Sequence, residues 1–341
     1  MHEQKRVFSY KPQVNISFSS SLRMWFIFSC AFLCVIQSAF NDAGRSLFLA
    51  FLCVFFAVLT EFLLTWRDHG AAKIKDGSAA AAALVYTLLL PNQIHPVYAA
   101  VGVIFAIVVV KHSFGGLGAN WLNPALGGWL LIRFSWPLAF DKAMGSSAVS
   151  ITEINALSSV SALDNNVTEF LNHSIFSFFN AQLPSGYIDL LWNANPGIIA
   201  DRGLFFLLIG TIIITATGIN RGWIPLVFLC VYGALVFIAG DLKSAYGSGD
   251  LLYGFFSGGV IVAAFIIAAE PSTSAKLKPG ILLTVILAAV FSWFFRFLRE
   301  EYFGCLIAIS LMNCFTPIVI YFEEKLFLAY KNRGKFLENI L

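Results

Sequence analysis

Three stretches of this chain carry residue types that an ordinary apolar helix has no use for. "KHSFGGLGANWLNPALGG", Lys111 to Gly128, sets a glycine-rich turn, Asn120, Asn123 and an Asn-Pro step at the head of an apolar run. Amides in that position can hydrogen-bond a polar ring edge or cap the free N–H groups of the following helix. "LLYGFFSGGVIVAAFIIAAEPSTS", Leu251 to Ser274, puts Ser257, Gly258 and a second glycine where a helix would begin and Glu270 where it would end. Free N–H groups at such a start can hold an anion or a ring edge. "INALSSVSALDNN", Ile154 to Asn166, is small and hydroxyl-rich in an otherwise apolar chain. It reads either as an extramembrane loop or as a loop in which one serine is an attachment point.

The elements that must position these residues follow from composition. The chain has 341 residues, 58% hydrophobic and 12% charged, with a mean hydropathy of +0.78. A soluble core cannot hide that much apolar surface, so the sequence describes an integral membrane protein. Apolar runs approach the roughly 20 residues that an upright helix needs to cross a bilayer, which argues for an all-α polytopic fold and against a barrel. Hydropathy and helix punctuation predict ten spans, near 24–40, 46–66, 78–91, 96–110, 121–139, 203–219, 222–239, 254–269, 280–296 and 303–322. No cleavage-site pattern follows the first apolar run, so the first span is expected to stay in place.

Most of the 22 Lys and Arg residues fall on one side of this arrangement if the N-terminus is cytoplasmic. The bias predicts a multi-pass protein of the cell inner membrane with both termini inside. The chain then divides into a cytoplasmic segment (1–23), a five-helix repeat (24–140), an outer loop (141–202), a second five-helix repeat (203–322) and a cytoplasmic tail (323–341). Five spans per half make the halves an inverted pair. An internal echo agrees: "DGSAAAAALVYTLLLP" and "SGGVIVAAFIIAAEP" each run from a serine (Ser78, Ser257) through small residues to a proline (Pro91, Pro271). Short, interrupted helices at matching positions point to a central site. Asp76 and Glu270 border these helices and are the candidates for an ion path. Glu61 and Lys111 read more simply as interface residues. The six cysteines read as small core residues, and no metal site, nucleic-acid surface, hydrolytic triad or other catalytic residue is evident.

Beyond these physical readings, the quoted stretches resemble the D subunit of the Rnf electron-transport complex, a relative of the B subunit of the Na+-translocating NADH:quinone reductase. The likeness runs from about Lys11 to Phe322. It implies a ten-helix inverted-repeat fold related to urea transporters, and a subunit of an oxidoreductase that couples ferredoxin and NAD chemistry to Na+ or H+ movement. It also implies other Rnf-type subunits as partners, a noncovalent riboflavin, and an FMN joined by a phosphoester to an outer-loop hydroxyl. The attachment motif of the family resembles D-x-x-[S/T]-[G/S]-A-T-P-L, onto which "NALSSVSAL" aligns with Asn155 for the aspartate, Ser158 for the first hydroxyl and Ser161 for the flavin-bearing threonine. A serine hydroxyl can form the same ester. The departures leave a competing reading: a flavin-free transporter or channel for a small polar solute on the same fold.

Overall fold

The computed structural model describes residues 19–66, 75–116, 118–145, 162–179, 186–192, 197–239, 250–299 and 301–338. Among these residues the chain is helical without a strand; one isolated bridge joins Pro91 to Ile198. Four helices are long and apolar enough to cross a membrane: α1 (Ser20–Asn41), α2 (Arg45–Thr65), α14 (Lys278–Leu298) and the apolar part, Gly304–Leu326, of α15 (Gly304–Glu338). Large apolar side chains on their outer faces stand exposed, including Phe48, Phe51, Leu63, Leu283 and Ile318. In water such faces would associate; in lipid they are solvated, and the protein is a membrane protein.

The remaining apolar helices are shorter, and the sequence says why. α3 (Ser78–Leu88) is a run of alanines ended by Pro91, and all but Ala82 of its residues are buried against α1 and α2. Small side chains let these backbones close on each other. Gly77 precedes α3 at φ +72°, beneath the Trp25 indole, where a Cβ would lie 2.8 Å from the ring. α4 (Pro96–His112) starts on a proline and winds its last seven residues as a π-helix.

The run predicted as a single fifth span is two helices, because Pro137 cannot continue the first: α5 (Pro124–Ser135) and α6 (Pro137–Met144). Then come α7 (Ala162–Ser174), α8 (Tyr187–Trp192), α9 (Ile199–Arg202), α10 (Leu204–Ala216) and α11 (Trp223–Ala239). The predicted eighth span is also broken, at Ser257, Gly258 and Gly259, into α12 (Leu251–Phe256) and α13 (Val260–Val262), which runs on as a π-helix over Ala263–Ile267. Both glycines have positive φ, +68° and +71°, which the double-glycine sequence supplies. α14 ends like α4, in a π-helix, Phe294–Leu298.

Candidate functional site

A cavity of about 290 Å³ lies where α1, α3, the Asn-Pro turn before α5 and the loop after α13 meet. Its walls are apolar: Met24 and Ile27 of α1, Ala81, Ala82 and Val85 of α3, and Ile266. Its rim is polar, with Arg23, Asn120, Asn220, Glu270 and Ser272 among the lining residues. Asn123 caps α5, its Oδ1 accepting from the N–H groups of Ala125 (2.8 Å) and Leu126 (3.3 Å). Its Nδ2 donates to Glu270 Oε2 at 2.5 Å, and Ser272 Oγ donates to Glu270 Oε1 at 2.7 Å. Burial pushes the Glu270 carboxyl above its usual range, opposed by the Ser272 and Asn123 hydrogen bonds and by Arg23.

Three polar atoms of the rim are buried with no hydrogen-bond partner among the described residues: Arg23 Nε, Asn120 Oδ1 and Asn220 Oδ1. An orphaned buried donor or acceptor costs about 1–3 kcal/mol, so a donor and two acceptors on one rim define a shape that a ligand can satisfy. The pyrimidine edge of an isoalloxazine carries an N–H between two carbonyls: one carbonyl can accept from Arg23 Nε and the N–H can donate to one of the two amide oxygens, which satisfies two of the three orphaned atoms, and its faces are apolar like the walls. The volume sits at the lower edge of the roughly 300–1,000 Å³ of small-molecule sites, enough for a ring system. The residues present therefore fit a flavin ring by shape and by one donor–acceptor pair of the rim.

One wall holds an ion pair that hydropathy alone assigns to the interface. Lys111, at the π-wound end of α4, lines the cavity and is 3% exposed. Its Nζ donates to Glu61 Oε1 at 2.5 Å and to Ser78 Oγ at 2.6 Å. Glu61, also 3% exposed, stands behind it on α2, and His112 Nε2 is 3.5 Å from the same Oε1. The interface readings of Glu61 and Lys111 are corrected: both side chains are buried against neighbouring helices rather than at the surface.

The other sequence candidates are distributed differently. Asn120, Asn123 and Glu270 come together at the cavity. Asp76 accepts from the Ser78 N–H at 2.7 Å and so helps start α3. Ser257 and Gly258 do not line the cavity; they belong to a second buried corner. There Arg296, fully buried on the π-wound end of α14, donates to the carbonyls of Ser257 (2.8 Å) and Gly254 (3.1 Å), to Tyr232 Oη (3.2 Å) and to Ser257 Oγ. Asp201 accepts from the N–H groups of Gly258 (3.0 Å) and Gly259 (2.9 Å) and from Tyr302 Oη (3.2 Å). Asn155, Ser158 and Ser161 lie outside the described residues. Arg23 and Asn220 join the site without a sequence signal of their own; the Asn-Arg-Gly turn that carries Asn220 marks a helix break but not its contents.

The helices of this membrane protein, several of them short or broken, enclose an apolar-walled, polar-rimmed cavity with room for a small ligand. The sequence profile of the NQR2, RnfD, RnfE family matches residues 7–327, and the chain belongs to that family. It is similar to the D subunit of the proton-translocating ferredoxin:NAD(+) oxidoreductase complex of Clostridium ljungdahlii, 26% identical, with 94% of this chain and 96% of the relative covered. The D subunit of the Na(+)-translocating ferredoxin:NAD(+) oxidoreductase complex of Acetobacterium woodii is 24% identical, covering 95% and 96%. The D subunit of an ion-translocating oxidoreductase complex of Alcanivorax borkumensis is 28% identical, covering 82% and 85%.

Proposed function

We propose that this chain is the membrane flavoprotein subunit of an Rnf-type complex that couples electron transfer between ferredoxin and NAD to movement of Na+ or H+. Family membership and near-full-length similarity to subunits so named support the reading. Within the chain, the observation that carries it is the cavity rim, where Arg23 Nε, Asn120 Oδ1 and Asn220 Oδ1 await a partner. A noncovalent riboflavin ring would lie there between the walls of α1 and α3, one carbonyl accepting from Arg23 Nε and the ring N–H donating to the amide oxygen of Asn120 or Asn220. When bound, it supplies one- and two-electron redox chemistry; the protein supplies position, water exclusion and the charge around the ring. FMN would be attached through a phosphoester to Ser161, with Asn155 and Ser158 completing the frame that the attaching enzyme reads.

The finer architecture belongs to the same proposal: ten membrane elements in two inverted five-helix repeats, urea-transporter-like, in the inner membrane with both termini cytoplasmic. Correspondences between the halves support it. α3 and α13 are short elements after a glycine of positive φ, and α4 and α14 each end in a π-helix carrying a buried cation. That cation reaches a serine at the start of α3 in one half, Ser78, and in the break before α13 in the other, Ser257. The other membrane and peripheral subunits of the complex are the partners, with the bilayer around the apolar faces.

The test is flavin content. The purified chain, denatured and resolved, is expected to release riboflavin and to keep a fluorescent FMN on the peptide containing Ser161, lost in Ser161→Ala. A chain with neither flavin would instead be the flavin-free solute transporter or channel.

A further inference from the structure

The ion pair beside the cavity has no role in holding a ring, yet it is costly to keep. Burying a carboxylate and an ammonium costs several kcal/mol per ion, and their attraction repays this only with the remaining lone pairs satisfied. Here they are not: Glu61 Oε2 is buried without a hydrogen-bond partner among the described residues. Lys111 has Glu61 on one side and the cavity on the other, so rotation about its flexible stem carries the ammonium from one to the other. His112, about one-fifth exposed, links Glu61 Oε1 to the surface at the end of α4.

We propose that Glu61 is an exchangeable-cation site whose resting occupant is the tethered ammonium of Lys111: an anionic group in the cavity draws Lys111 away, and a proton or sodium ion, entering past His112, takes its place on Glu61. The coupling arm of this proposal rests on the reading of the cavity as a flavin site; the Glu61 site itself does not. Charge is conserved throughout, since one negative charge arriving in the cavity is matched by one cation arriving at Glu61. By linkage the effect is reciprocal: a cation on Glu61 frees Lys111 and strengthens anion binding by the same factor. The second corner cannot do this, because the Arg296 guanidinium stays charged and its two terminal nitrogens are held on four acceptors, with only Nε unpartnered among the described residues.

The test removes the tethered occupant and asks whether a mobile one replaces it. Lys111→Ala is purified in detergent and its melting temperature followed against pH in choline chloride, then against NaCl at fixed pH with KCl as control. Other charged groups near the site, namely His112, Asp76, Arg23, Glu270 and Lys276, also respond to pH, so the double variant Glu61→Gln/Lys111→Ala is the baseline. The expected result is a stability gain in Lys111→Ala, relative to the double variant, that grows toward low pH if the ion is H+ or with NaCl but not KCl if it is Na+. Equal melting of the two variants under all these conditions would overturn the proposal. Should Lys111→Ala not fold, Lys111→Gln keeps a donor to Glu61 and Ser78 and is read the same way. The coupling arm uses riboflavin-loaded wild type reduced by dithionite. Reduction of wild type should gain, over and above that of Glu61→Gln, up to a tenfold advantage per tenfold rise in the same cation; the same cation dependence in both proteins overturns the coupling. Failure of wild type to retain riboflavin would strike the flavin reading of the cavity, while the melting series still decides Glu61.

Discussion

Lys111 and Arg296 occupy equivalent-looking corners: each sits on the π-wound end of a helix, is almost fully buried, and reaches a serine next to a short helix. The corners differ in everything else. Lys111 faces a cavity, is paired with a carboxylate that keeps an unsatisfied oxygen, and has a flexible point charge. Arg296 is clamped by a planar fork onto two carbonyls and two hydroxyls, and it stacks over the Tyr302 ring at 5.7 Å. One geometry leaves a charge free to move and the other fixes a turn. Cations on π-wound helix ends thus serve two purposes in this chain: a responsive site beside the cavity and a lock at the Ser257–Gly259 break.

Breaking the lock should do the most damage. Arg296→Met leaves the acceptors of the Ser257 turn unpaired and removes the positive charge that favours the Asp201 carboxylate, so it should lower unfolding stability by about 3–5 kcal/mol, seen as loss of monodisperse protein on size exclusion in detergent. Arg296→Lys should not rescue it, because an ammonium cannot serve the same planar set. Lys111→Met should cost less, since Glu61 can capture a proton instead. Equal losses in the two would erase the contrast.

Next is Gly258→Ala. A Cβ there would meet the Tyr302 carbonyl oxygen at 2.5 Å, on a backbone at φ +68°, and should cost about 1–3 kcal/mol by thermal unfolding.

A pH series separates the two corners further. Burial pushes the Asp201 carboxyl up from 3.8 to about 6, against the opposing Gly259 and Gly258 N–H groups, Arg296 and Tyr302. The native state then holds this proton more tightly than the unfolded chain, so its stabilising contribution is full below 3.8 and is lost as pH rises through about 6. Asp201→Asn should flatten that part of the stability profile; an unchanged slope would assign it to other groups. A smaller loss is expected at Asn123→Ala, which removes the α5 cap for about 1 kcal/mol and releases Glu270.

Much of this is legible in the sequence, and the failures are local. Helices cover the apolar runs that hydropathy marks, because it acts on neighbouring residues, but the fifth and eighth runs are each two helices and α7 and α8 lie in the segment predicted as a loop. Asn120, Asn123 and Glu270 stand out in the sequence as polar groups at helix breaks, and the folded chain brings them to one cavity. Glu61, Lys111 and Arg296 escape a hydropathy reading for a common reason. A charge near the end of an apolar run is assigned to the interface when each span is assumed straight and full length. Here the partner helices are short or broken, so the charged ends lie under them, and π-winding turns the cations inward. The signal is present in "VLTEFLLT" around Glu61, where an acid without a neighbouring counter-charge requires a partner from a distant span. The attachment frame around Ser161 is legible only by resemblance, since spacing alone does not distinguish an esterified serine from a loop serine.

Whether the Lys111 side of the molecule holds a ligand and the Arg296 side does not is decided by riboflavin retained per purified chain. The proteins to compare are wild type, Asn120→Leu at the cavity rim and Tyr302→Phe at the lock. Close to one riboflavin is expected in wild type and in Tyr302→Phe, and at least tenfold less in Asn120→Leu. No riboflavin in wild type, or equal retention in Asn120→Leu, would contradict a ligand site at this cavity.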